Sequence, residues 1–217
     1  MNPVDARTRI LNMAAKLFAE KGFDGARVDE IARKAKVNKA LIYYYFKNKE
    51  EIRRSLFDGF IHDVMELVDK SLDDFLDIQS KEKFRRVFDE YLAFFEERKH
   101  TIRIMAMESL KKSSGVSPLF RFMDIMMKNE IDRVLQVLEK RGIRLEFDRM
   151  QIIVTDFFTG LMPIVNYVLY KDKWKAHYPI DEQELRERFL EAYDATHLEY
   201  HRRGMKLVEK MLKKKPG

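Results

Sequence analysis

Two groups of residues in this 217-residue chain have the types and spacing to do chemistry. His197 and His201 lie one helical turn apart with Asp194 on the same face, a spacing that can ligate zinc or copper. The run His-Leu-Glu-Tyr-His is not the zinc-hydrolase motif, which needs glutamate directly after the first histidine. Exposed histidines on a charged helix explain the pair equally well. No metal and no cofactor is therefore expected, and metal sensing through Asp194, His197 and His201 stands only as an alternative. Cys is absent, which excludes disulfides, thiolate nucleophiles and Cys-ligated zinc. There is no phosphate loop, nucleophile elbow or repeated His/carboxylate arrangement, so the chain does not read as an enzyme. The second group is Lys39, Ala40, Leu41, Tyr43, Tyr44 and Lys49. Its lysines and tyrosine hydroxyls suit phosphate oxygens, while Ala40 and Leu41 suit thymine methyls, which is the chemistry of double-stranded DNA contact.

These side chains need helices to position them. Apolar residues recur at three- and four-residue spacing almost throughout, and no stretch alternates with period two, so the chain reads as all-α. A first helix is expected from Pro3 to Lys21, ended by Gly22, and a second from Val28 to Ala35. After a tight turn, Asn38 caps a third helix from Lys39 to Tyr45. Ile31, Ala32, Val37, Ile42 and Tyr45 or Phe46 would form its miniature core, leaving Tyr43 and Tyr44 outward because three consecutive helical side chains cannot face one way. Arg27 and Val28, at the start of the second helix, complete the DNA-facing set. Asn48 with Glu51 resembles a capping box opening a long helix to about Leu76. Further helices are expected at Lys81–His100, Thr101–Lys112, Pro118–Arg141, Asp148–Lys171 and Asp181–Met211, with Gly142 as a stop.

Composition agrees with a globular chain: 46% hydrophobic, 36% charged, with 8 Gly and 5 Pro. The net charge is +6, and the first fifty residues hold eleven basic against six acidic side chains, so that segment carries nearly all of the excess. Lys213–Gly217 reads as a solvated tail. The N-terminus lacks an apolar leader, which leads to an expected cytoplasmic location. Asp156, Pro163 and Asn166 interrupt the apolar run Ile152–Tyr170, which is read as a buried helix, and no membrane partner is expected.

The stretches Ile10–Phe23, Ile31–Lys39 and Tyr43–Glu51 together resemble the TetR family of bacterial and archaeal regulators. The resemblance implies a helix-turn-helix domain at 1–50 and a helical effector-binding and dimerisation domain at 51–217. It also implies a dimer on a two-fold operator, acting most simply as a repressor released by a small molecule. The chain departs from the family pattern at several positions. Lys36 replaces the usual turn glycine, Asn38 a serine-like cap, Ala40 a glycine, Leu41 a threonine, Tyr44 a frequent histidine, and Arg27 a threonine.

In the larger domain, Phe60, Val64, Phe84, Phe88, Phe95, Met105, Phe120, Met123 and Met127 are candidates to line a pocket for an apolar or amphipathic effector. Phe157, Leu161, Ile164, Val165 and Val168 offer more apolar surface than one flank buries, which suits a homodimer interface. Gly160 and Pro163 suggest close helix approach and a kink. The remaining alternative is a basic helical adaptor without specific DNA binding.

Overall fold

The computed structural model describes residues 3–76, 81–111, 116–140, 148–204 and 206. Among them every regular element is helical. The elements are α1 (Pro3–Gly25), α2 (Val28–Ala35), α3 (Lys39–Tyr45), α4 (Lys49–Leu76), α5 (Lys81–Glu97), α6 (Lys99–Ser109), α7 (Pro118–Lys140), α8 (Arg149–Thr155), α9 (Met162–His177) and α10 (Glu182–Tyr193). A π segment at Asp156–Leu161 joins α8 to α9, and a second at Asp194–Leu198 follows α10. Gly142 and Lys213–Gly217, with the expected helix ends at Lys112, Arg141 and Met211, lie outside the described residues.

The chain packs as two units, residues 1–70 with 96–122, and residues 71–95 with 123–217. The packing therefore does not break at residue 50, because α4 runs through that position and α6 lies along α1 within the first unit. In α1, Ile10, Ala14, Leu17 and Phe18 are fully buried at helical spacing, and a buried side chain of Leu or Phe size contributes about 1.5–3 kcal/mol. Gly22 interrupts this helix with φ 74 and ψ 163, a conformation open only to glycine, and helical backbone then continues to Gly25. The break before α6 comes at Arg98, earlier than the expected His100.

In the second unit, Phe84, Val87, Phe88, Leu92 and Phe95 form the buried stripe of α5. An aromatic cluster extends from it. Phe88 lies 5.0 Å from Tyr193, and Tyr167 stacks on Phe189 at 4.5 Å. Arg186 donates to Asp89 at 2.8 Å, and Arg85 pairs with Glu187, fixing α10 against α5. Asp148 and Asp181 cap their helices by accepting from the Gln151 and Glu184 backbone N–H groups at 3.0 and 2.8 Å.

The helix Arg149–His177 is long and apolar enough to cross a membrane by length and composition. In this structure it buries Asp156, Leu161, Ile164, Val165, Tyr167 and Val168 within the chain. Its π segment ends just before Pro163. A proline ring there would meet the carbonyl four residues back in a regular α-helix, and the wider π turn relieves that conflict.

Candidate nucleic-acid interface and a buried His/Asp cluster

The head of the first unit is built from short elements with strong local signals. Arg27 precedes α2 in extended conformation with no side-chain cap bond, so its guanidinium is exposed rather than spent on the helix end. Ile31, Ala32 and Ala35 face inward from α2. The turn begins at Lys36, whose φ of 54 and ψ of 48 place it in the left-handed region, the one non-glycine residue with positive φ among those described. Asn38 then accepts from the Leu41 backbone N–H at 2.7 Å, capping α3 as its side-chain chemistry suggested. Ile42 and Phe46 are fully buried and hold α3 down, Phe46 rather than Tyr45 being the main anchor.

The opposite face of α3 is open. Lys39 and Ala40 are exposed, Leu41 is half-buried, and Tyr43 and Tyr44 are 49% and 79% exposed. Tyr45 is half-buried, as the helical phase required. Lys39 pairs with Asp29 of α2 at 2.7 Å, and this hydrogen bond raises its pKa above the ordinary lysine value, so it stays cationic. Val28 is half-buried, because its side chain partly serves the α2 core.

Lys49 departs from the expected arrangement. Its ammonium donates to the carbonyls of Phe23, Asp24 and Ala26 at 2.8, 3.4 and 3.0 Å and lies 4.5 Å from the centre of the Phe23 ring. It neutralises the carbonyl end of α1 instead of extending toward a ligand. Residues distant in sequence complete this support. Buried Glu108 of α6 binds Arg53 of α4 and accepts from Lys111 at 2.7 Å, while Lys111 also reaches Asp24 at 3.0 Å. Nothing in the sequence pattern marked Glu108, since such pairing depends on how α4 and α6 cross.

The other expected sites are redistributed. Phe60, Val64 and Met105 are core residues of the first unit, and Phe84, Phe88, Phe95, Met123 and Met127 of the second. Phe120 corrects the expected pocket lining: it is 57% exposed, because Leu119, Phe122, Met123, Met126 and Met127 take the inward phase of α7. The expected dimer face is corrected too. Leu161, Ile164, Val165 and Val168 are buried within their own chain and Phe157 is half-buried, whereas Met150, Val154 and Phe158 are exposed at four-residue spacing.

The histidine pair finds a different carboxylate. Asp194 is engaged by Arg202, and Asp156, from the first π segment, lies 2.8 Å from His201 Nε2. His197 is buried, with Nδ1 3.0 Å from Thr159 Oγ1, and burial pushes its pKa down to about 4. Asp156 carried a visible signal, a carboxylate inside an apolar helix, but only the crossing of the two π segments reveals its partners.

Comparison with known proteins decides the character of the head. Residues 10–56 match the family described as bacterial regulatory proteins, tetR family, and this span contains α2, α3 and the turn between them. The chain carries a TetR-family DNA-binding domain. It is 32% identical over 85 residues to IcaR of Staphylococcus epidermidis, a negative transcriptional regulator of a biofilm operon, a match covering 38% of this chain and 46% of that protein. The alignments with such curated relatives cover about half of their length at most. Solved structures share the fold over most of the chain. FadR from Bacillus halodurans covers 87% of this chain and 93% of its own with a TM-score of 0.61 at 21% identity. FadR from Bacillus subtilis, solved in complex with stearoyl-CoA, covers 88% and 97% with a TM-score of 0.55, also at 21% identity.

Proposed function

We propose that this chain is a cytoplasmic, dimeric transcriptional repressor that binds a two-fold symmetric operator through α2 and α3 and is released by a small apolar or amphipathic effector. The observation that carries the reading is the exposed face of α3 inside a TetR-type head, with Lys39, Ala40, Tyr43 and Tyr44 outward while Ile42 and Phe46 anchor it. In this reading α3 enters the major groove, the tyrosine hydroxyls and Arg27 bind phosphate, and Leu41 with Ala40 meets thymine methyls. A phosphate competes with Asp29 for Lys39. Lys49 acts indirectly, by holding the end of α1. The mechanism needs no catalytic step.

Two-fold operators call for a paired protein. The exposed stripe Met150, Val154 and Phe158 is the apolar surface that a second copy would cover. For the effector, the second unit supplies Phe84, Phe88, Met123 and Met127, whose adaptable side chains suit an acyl-like chain. The stearoyl-CoA complex of the Bacillus subtilis structure lends support to that ligand class. An effector releases DNA only through its differential affinity for two conformations, and about 1–3 kcal/mol of coupling suffices for a working switch.

Fluorescence anisotropy on the DNA just upstream of the chain's own coding region, against a scrambled duplex over a salt series, tests the reading. Specific binding with a two-fold footprint, weakened by long-chain acyl compounds, is the expected result. Equal and steeply salt-dependent binding to both duplexes, from protein shown by mass spectrometry to carry no ligand, would favour the basic adaptor instead.

A further inference from the structure

The cluster where the two π segments meet lies outside α2 and α3, the helices assigned to DNA contact. We propose that Asp156, His197 and His201 form a binding site for one divalent transition-metal ion of the zinc class, linking the helix Arg149–His177 to the helix that carries both histidines. The three ligand atoms lie within 4.8 Å of one another, and two of the three residues are buried. Two imidazoles and a carboxylate with a fourth position left for water are a zinc-type donor set, whereas magnesium and calcium prefer oxygen donors alone.

The hydrogen bonds around His197 set its tautomer. Thr159 Oγ1 lies 2.7 Å from the Thr155 carbonyl oxygen, which can only accept, so the hydroxyl proton is committed there. Thr159 must then accept from His197 Nδ1–H at 3.0 Å, which leaves the lone pair on Nε2. A metal-binding histidine is normally held in this way, its other nitrogen donating to a fixed oxygen, and Thr159 is a positioning residue. Gly160 supplies the space: a Cβ there would lie 2.7 Å from His197 Cε1 and 2.9 Å from Nε2. On the other side, His201 Nε2–H donates to Asp156 Oδ1 at 2.8 Å. An ion replaces that proton, and the pair opens to the ~3.2 Å that ~2.0 Å bonds in tetrahedral geometry require. Asp194 does not join the set, because Arg202 holds it.

The test uses the full chain stripped with EDTA and titrated with Zn²⁺, Co²⁺ and Mg²⁺ by calorimetry and thermal melting. One Zn²⁺ per chain, a raised Tm, tetrahedral cobalt absorption and no response to Mg²⁺ are expected. His201→Ala and Asp156→Asn should each weaken Zn²⁺ binding by about tenfold or more and Thr159→Val by about tenfold, with Asp194→Asn within twofold. Should those variants fail to fold, imidazole NMR of the unmutated chain replaces them, and His197 and His201 must both shift at one equivalent of Zn²⁺. Absence of saturable binding up to about 100 µM, unchanged binding by folded His201→Ala, or shifts confined to other histidines would overturn the site, leaving a metal-free polar contact between helices. None of these readouts depends on DNA binding.

Discussion

Tyr44 is the clearest case of a side chain whose exposure has no folding purpose. At 79% exposed it contributes little to the core, and removing its hydroxyl should leave stability within about 0.5 kcal/mol. One phosphate hydrogen bond is worth about 0.5–1.5 kcal/mol, so Tyr44→Phe is expected to weaken operator affinity roughly threefold to tenfold, read by anisotropy with a melting curve as control. Lys36 presents the opposite situation. Its left-handed backbone is required by the turn, as its N–H closes α2 onto the Ala32 and Arg33 carbonyls. A side chain there is strained, so Lys36→Gly should stabilise the fold by about 0.5–1 kcal/mol in urea denaturation. The family's usual glycine at this position has the same physical origin.

At the scale of elements, the crossing of the π segments makes a sharp prediction. Alanine in a helix is normally favoured over glycine by about 1 kcal/mol, but at Gly160 its Cβ would collide with the buried His197 ring. The collision should outweigh the propensity, and Gly160→Ala is expected to destabilise by about 1–3 kcal/mol in a urea titration. The turn between α9 and α10 is held electrostatically. Lys175 and Lys171 donate to Glu182 at 2.6 and 2.9 Å, holding its carboxyl down to about 2 from the ordinary 4.5. A carboxyl lowered in the folded state stabilises fully above pH 4.5 and loses that contribution as pH falls toward 2. Because Glu182 is half-exposed, the difference in Tm between the chain and Glu182→Gln should correspond to about 1 kcal/mol or less near neutrality, vanishing near pH 2.

For the whole molecule, the proposed recognition of a two-fold operator rests on pairing. Placing a charge in the exposed stripe, as Phe158→Glu, should yield a monomer by sedimentation at micromolar concentration. Phe158 is 65% exposed in its own chain, so the variant should keep its helical circular dichroism while losing specific DNA affinity. A dimer that survives this change would move the interface elsewhere. Val165→Glu is the control, since Val165 is 2% exposed and its replacement should unfold the unit instead of only splitting the dimer.

Local chemistry determined much of this protein before any tertiary contact was considered. The bounds of α2 and α3, the Asn38 cap and the outward direction of Tyr43 and Tyr44 follow from helical phase and short-range hydrogen bonds, which a sequence displays directly. Tertiary structure decided which apolar and charged residues meet which partners. Lys49 was free to bind phosphate until α1 offered its carbonyl end, and Leu161, Ile164, Val165 and Val168 looked like a partner's surface until the chain itself buried them. Asp156 replaced Asp194 beside the histidines because the two π segments pack against each other and Arg202 engages Asp194. A periodicity reports which residues share a face, but the neighbour of that face is set by packing between segments far apart in the chain.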